Sequence, residues 1–238
     1  MSPGAAALVI GASGGIGRAL VDTLSATGEF ATVHAASRSG LDLVGSSRSH
    51  RADITDERSL EALTQSLRDE PLRLVIVASG LLHDDRVAPE KSMRALDGEA
   101  LARVFAVNAI GPALAAKHLL PLMPRDQRFV FAALSARVGS ISDNRLGGWY
   151  GYRASKAALN QILRTLAIET ARTRPQGIIL GLHPGTVATG LSAPYRGEGD
   201  GGVFTAAEAA SHLLRVIAGA DPSQSGRVLA WDGTEVPP

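Results

Sequence analysis

The sequence predicts a single-domain α/β fold, a doubly wound parallel sheet of seven strands with helices on both faces. Seven short apolar runs, rich in β-branched residues, alternate with longer segments whose apolar residues recur every third or fourth position; buried parallel strands joined by crossover helices have this pattern. A chain of 238 residues, 45% hydrophobic and 20% charged, can bury one full core. No repeat, low-complexity tract or linker divides it, so residues 1–238 are read as one domain.

The elements follow in order. An apolar strand over residues 6–10 runs into glycines, and a helix over 15–27 takes over with apolar residues three and four apart. Strands are expected at 31–36 and, briefly, at 49–52, then a helix at 59–67 and a strand at 73–78. A long apolar-faced helix over 96–122 is closed by Pro121 and Pro124, which cannot continue the backbone hydrogen bonding. A strand at 128–134, a helix at 152–172 and a strand at 177–182 come next. The glycine- and charge-rich stretch 192–202 reads as part of a mobile substrate loop near 190–204. Thr205 and Glu208 form a capping-box signature before a helix at 206–218, and the last strand is expected at 227–231.

Composition removes several classes of function. With 24 basic and 23 acidic residues the net charge is +1, and the arginines and lysines are scattered, so no field suited to nucleic acid is expected. The absence of cysteine excludes disulfides, thiolate metal sites and thiol catalysis, and suits a reducing, cytoplasmic setting. The apolar run at 5–10 has no basic residue before it and no cleavage site after it, so a signal peptide is not expected. No stretch reaches the roughly 18 uninterrupted apolar residues of a spanning helix, and no membrane partner is expected.

Directly after the first strand stands Gly11-Ala12-Ser13-Gly14-Gly15-Ile16-Gly17, in the form G-x-x-x-G-x-G. Glycines allow a sharp turn and close approach of backbone to a pyrophosphate, whose charge meets the free amides of the following helix; Rossmann-like dinucleotide sites use this arrangement. An ordinary glycine-rich strand-to-helix turn has the same letters, so the motif needs support. Some comes from Ser37-Arg38 at the end of the second strand, where an NAD site would place an acid. A guanidinium there suits a 2′-phosphate and points to NADP(H), unless Arg38 is a solvated loop residue.

Tyr152 and Lys156 stand four residues apart at the start of a helical segment, on one face. With three tyrosines and three lysines in the chain, a chance pair at this spacing is rare. A phenol near pKa 10 is a slow acid at neutral pH, and a neighbouring ammonium is expected to favour its phenolate. A surface helix pair would share the spacing.

The glycine turn, the Tyr-x-x-x-Lys pair and the length together resemble the short-chain dehydrogenase/reductase family over essentially the whole chain. Residues 148–160, Gly-Trp-Tyr-Gly-Tyr-Arg-Ala-Ser-Lys-Ala-Ala-Leu-Asn, are similar to the branch holding C-factor-like signalling proteins and small carbonyl reductases. The resemblance implies an NADP(H)-dependent oxidoreductase acting on a small carbonyl or secondary alcohol, with a C-factor-like nucleotide-binding regulator as the alternative. It implies roles for Asn108 in a proton relay through Lys156, for Asp53 and Ile54 at the adenine, and for Ala78, Ser79 and Gly80 beside the adenosine. Pro184, Gly185, Val187 and Thr189 would meet the nicotinamide and a phosphate. The family's Ser-Ser-x-x-Gly is here Ser135-Ala136-Arg137-Val138-Gly139, leaving Ser135 as the hydroxyl at the end of the fifth strand, with Ser140 or Ser142 in the next loop as rivals. The two long helices resemble a dimer-forming pair, so a homodimer or homotetramer is implied. His83, Asp84 and Asp85 are metal-ligand types on a polar loop and are read as solvated; no metal is expected.

Overall fold

The structure is a computed structural model and describes residues 4–41, 47–195 and 202–238. Its centre is a seven-stranded sheet, parallel throughout. Strand β1 (Ala6–Ile10) leads through helix α1 (Gly15–Thr27) to β2 (Thr32–Ser37) and the polar edge strand β3 (Ser47–Arg51). Helix α2 (Glu57–Ser66), N-capped by Asp56, leads to β4 (Leu72–Val77). Helices α3 (Gly98–Phe105) and α4 (Gly111–Leu119) precede β5 (Phe129–Leu134). Helix α5 (Tyr150–Ala171) precedes β6 (Gly177–His183). A two-stranded ribbon of β7 (Thr186–Val187) and β8 (Val203–Phe204) follows, then α6 (Ala206–Gly219) and β9 (Val228–Ala230).

The strand order β3-β2-β1-β4-β5-β6-β9 reverses direction at β1, leaving a crevice at the carboxyl ends of β1 and β4, where open α/β sheets bind ligands. Alternate strand residues feed two cores. On one face Val9, Ile76, Ala132 and Leu180 pack with Leu20, Leu24, Leu213 and Ile217 of α1 and α6. On the other, Leu8, Val75, Phe131 and Ile179 pack with Leu60, Ala115, Leu119 and Leu163 of α2, α4 and α5. Double coverage is why these strands read as continuous apolar runs.

The seven expected strands appear as the seven of this sheet, with ends moved by one or two residues. Three features differ. The long helix expected over 96–122 is broken: a 3₁₀ turn at Met93–Ala95 lies before it, a π turn at Ala106–Ile110 interrupts it, and Pro121 sits inside a closing 3₁₀ turn. The β7–β8 ribbon has no signal in the sequence, because two residues per strand carry no periodicity. Helix α5 starts two residues early, after Trp149. The Thr205–Glu208 capping box is present. Of the loop expected near 190–204, the last two residues pair as β8 with β7, which precedes the loop, and residues 196–201 lie outside the described residues.

The run Gly98–Leu122 is, among the described residues, the one helix long and apolar enough by length and composition to cross a membrane. Here it lies along the sheet, with Ala109, Ala115, Ala116 and Leu119 buried and Glu99, Arg103 and Lys117 along it.

Candidate active site

One cleft of ≈ 720 Å³ runs from the glycine turn to the start of α5. A second hollow of ≈ 620 Å³ lies elsewhere, lined by Leu24, Phe30, Arg73 and Arg128, and its Arg128 is spent on the carbonyls that end α6. The first holds nearly every residue singled out above.

Gly11 turns the chain at φ +84°, with its amide on the Ala36 carbonyl at 2.9 Å. A Cβ there would lie 2.6 Å from the Ser79 amide nitrogen, and one on Gly17 would overlap the Gly11 carbonyl. Both positions therefore exclude side chains by contact with backbone, which cannot swing away. Gly14 caps α1 without a side-chain acceptor, so the first amides of α1 are left for an anion. Thr189 reaches across: a Cβ on Gly15 would sit 2.8 Å from its methyl carbon.

Gly11, Ser13, Gly14, Gly15, Ile16 and Gly17 line the inner end of the cleft, with Ala78, Ser79 and Gly80 from beyond β4. Ser37, Arg38, Asp53 and Ile54 line the outer end. Arg38 is exposed, and Ser37 is buried with its hydroxyl donating to the Gly40 carbonyl at 3.1 Å. Burial raises the Asp53 pKa, but the Thr55 hydroxyl and amide at 2.7 and 2.9 Å, with the Arg38 charge, outweigh it and hold the carboxyl below its ordinary value. Pro184 and Thr189 are on the wall, whereas Gly185 and Val187 are not. Gly185 has φ +76° and its α-carbon faces the Phe204 and Trp231 rings, while the Val187 carbonyl accepts from the Thr189 amide and the Ser192 hydroxyl. The adjoining His183 is pushed down to about 4 by burial, with Arg137 acting the same way.

Tyr152 and Lys156, one helical turn apart, line the same cleft. The Lys156 Nζ lies 5.7 Å from the centre of the Tyr152 ring and donates to the Leu134 carbonyl at 2.7 Å. Burial pushes Lys156 down to about 8 and Tyr152 up to about 12. The expected fall in the tyrosine pKa is thus absent, because burial takes the phenolate out of water and disfavours it. Asn108 is fully buried in the π turn. Its amide brackets Leu81, accepting from the Leu81 amide and donating to its carbonyl, both at 2.8 Å, and also donates to the Ser155 hydroxyl at 3.1 Å. A Cβ on Gly80 would be 3.9 Å from both Asn108 Oδ1 and Lys156 Nζ, so the three meet, with Gly80 and Lys156 on the cleft wall and Asn108 buried behind it.

Ser135 also lines the cleft, but its hydroxyl donates to Asn160 Oδ1 at 2.6 Å, on α5 one turn beyond Lys156. Ser140 and Ser142 instead bond the Pro238 carbonyl, at 3.2 and 2.5 Å. Of the trio His83, Asp84 and Asp85, the first two hold the loop and Asp85 is exposed: His83 Nε2 lies 3.2 Å from the Gly190 and Leu191 carbonyls, and Asp84 pairs with Arg103 at 2.6 Å. Among the described residues the donors that cluster are Glu57, Glu61 and His118, and Glu57 already binds Lys117 and His118 at 2.6 and 2.9 Å. His83, Val107 and Leu191 also line the cleft, as do Leu81 and Arg103, which carry no motif and which only the fold brings there.

A parallel sheet with an open glycine turn at its crossover point, and a Tyr–Lys pair on a facing helix, define a nucleotide-dependent oxidoreductase scaffold. Residues 5–199 match the family model described as short chain dehydrogenase, and the chain belongs to that family. It is 32% identical over 232 residues, 95% of this chain and 96% of the relative, to 1-hydroxy-2-glutathionyl-2-methyl-3-butene dehydrogenase of Rhodococcus sp. strain AD45. It is 37% identical over 138 residues to the C-signal protein of Myxococcus xanthus, covering 58% of this chain and 78% of that one. The fold is similar to that of an NADPH-bound carbonyl reductase from chicken fatty liver, with TM-score 0.84 and 23% identity over 98% of this chain and 99% of that one. A carbonyl reductase of Pseudomonas aeruginosa PAO1 in complex with NADP gives TM-score 0.77 and 24% identity, over 98% and 99%.

Proposed function

We propose that this chain is an NADP(H)-dependent oxidoreductase that transfers hydride between a nicotinamide and the carbon of a small carbonyl or secondary alcohol. The observation that carries this reading is the continuity of one cleft from the uncapped amides of α1 to Tyr152 and Lys156. The residues fit such a cofactor. Gly11 and Gly17 let the turn pack backbone against backbone, the amides of α1 supply donors to a pyrophosphate, and Arg38 beside Asp53 offers a guanidinium to a 2′-phosphate. When bound, the nicotinamide supplies or accepts the hydride.

The chain's own residues handle the proton and the positioning. A Tyr152 phenol held at about 12 keeps its proton at neutral pH, as the donor to a developing alkoxide must. Lys156, near 8, is mostly charged at neutral pH and can exchange the Leu134 carbonyl for a ribose hydroxyl. Its charge then favours the phenolate left behind. Asn108 holds Leu81, and with it the cleft wall, against the lysine. For Ser135 to orient the substrate oxygen, its hydroxyl must turn from Asn160 into the cleft. The names of the Rhodococcus relative and of the two reductases support this chemistry. A homodimer or homotetramer in the cytoplasm completes the reading.

The similarity to C-signal favours one alternative, a nucleotide-binding regulator with little turnover. Oxidation of NADPH and of NADH with a panel of aldehydes, ketones and quinones separates them. Turnover with at least one carbonyl is expected; tight NADPH binding with none across the panel would favour the regulator, and no binding of either cofactor would sink both.

A further inference from the structure

Helix α5 carries Tyr152 and Lys156, yet its own start is poorly capped. The N-cap residue Trp149 offers no side-chain acceptor and is held at φ +51°, the sole non-glycine residue with positive φ among the described residues. The missing acceptor comes from far upstream. The Glu90 carboxylate accepts from the Gly151 amide, at 3.3 and 3.1 Å to its two oxygens, and the Glu90 backbone carbonyl accepts from the Trp149 amide at 2.5 Å. Glu90 is only 7% exposed, and no lysine or arginine pairs with it among the described residues. A buried carboxylate without a cation is costly, and the partial positive charge at the helix start is what offsets it here. Gly151 is the matching half, since a Cβ there would lie 2.9 Å from Glu90 Oε1 and from Leu101 Cδ2.

This latch joins two parts of the cleft. Glu90 follows the loop whose Leu81, His83 and Asp84 line the cleft, and Gly151 immediately precedes Tyr152. The Trp149 ring meets the Tyr152 ring edge-on, 6.2 Å between centres and 76° between planes. Moving the first turn of α5 would therefore move the phenol relative to the cleft. We infer that Glu90, through the Gly151 and Trp149 amides, is a positioning residue for Tyr152 and couples the substrate-side loop to the catalytic helix. This rests on the oxidoreductase reading.

The test compares Glu90→Ala, Glu90→Gln and Gly151→Ala with the parent chain for kcat, KM, NADPH affinity and hydrogen exchange of amides 150–155. Glu90→Ala is expected to lower kcat by about tenfold or more, because small misplacements of a reacting group cost that much. NADPH affinity should stay within about twofold, since the glycine turn is on another element. Exchange should quicken in the first turn of α5 alone. Glu90→Gln keeps a carbonyl oxygen for the Gly151 amide and should recover most of kcat, while Gly151→Ala should reproduce the Glu90→Ala pattern by wedging the carboxylate out. Unchanged kcat and exchange in Glu90→Ala, or a Glu90→Gln variant as impaired as Glu90→Ala, would overturn the inference. If the parent chain turns over no carbonyl, the oxidoreductase reading fails, and the exchange comparison decides the latch alone.

Discussion

Three side chains in the cleft carry charge or protons whose loss has distinct signatures. Tyr152→Phe removes the proton donor while leaving the ring, so turnover should fall by about a hundredfold or more with NADPH binding kept; steady-state rates and a binding titration check both parts. Arg38 faces the outer end of the cleft beside Asp53, and NADPH should be preferred over NADH. Arg38→Asp should reverse that order, and equal affinities in the parent chain would refute the assignment. Lys156 has a stability signature of its own. Its pKa falls from 10.5 to about 8 on folding, so between those values the unfolded chain binds more protons and stability rises with pH. Tyr152 acts oppositely from 10.0 to about 12, where the folded chain keeps the extra proton and stability falls as pH rises. Denaturant titrations of the cofactor-free chain at about pH 7.5 and about pH 9.5 should show the parent gaining stability and Lys156→Met gaining much less. Equal gains would assign the slope to other groups.

The glycine turn works as an element, and its glycines are not equivalent. A Cβ on Gly14 meets only the Gly11 carbonyl at 3.4 Å, an ordinary contact, whereas one on Gly17 overlaps that carbonyl and comes within 2.9 Å of its carbon. Gly14→Ala should fold and bind NADPH nearly as well as the parent. Gly17→Ala must push α1 off the turn, costing about 1–3 kcal/mol as overpacking does and abolishing cofactor binding. Thermal unfolding and NADPH titration of the two variants check the contrast, and similar behaviour of both would mean the turn relaxes freely. The break in the long helix is another element-scale effect. Asn108 favours the π turn because its amide must reach both backbone groups of Leu81, and periodicity alone reads straight through it.

At the scale of the molecule, the two longest helical runs each leave an isoleucine in water, Ile110 at 52% and Ile168 at 49% exposure. Burial of these faces between copies is the expected outcome, so light scattering should give a dimer or tetramer, and Ile110→Asp with Ile168→Asp should shift it toward monomer. A parent chain that is monomeric at micromolar concentration would rule this out.

What the sequence determined by itself was whatever depends on neighbours along the chain. Apolar runs bounded by glycines and helical repeats between them placed all seven strands of the sheet, and glycine spacing marked the open turn before α1. The four-residue interval of Tyr152 and Lys156 put both on one helical face before any contact was known. What the tertiary structure alone decided involves partners distant in sequence. Ser135 meets Asn160 across 25 residues, Gly151 meets Glu90 across 61, and Asn108 meets Leu81 across 27. Which partner takes the Ser135 hydroxyl, and which carboxylate meets the start of α5, depends on how the strand ends and helix starts are brought together. The tyrosine pKa belongs to the same class, because the desolvation that raises it is set by everything packed around the ring and not by spacing along the chain.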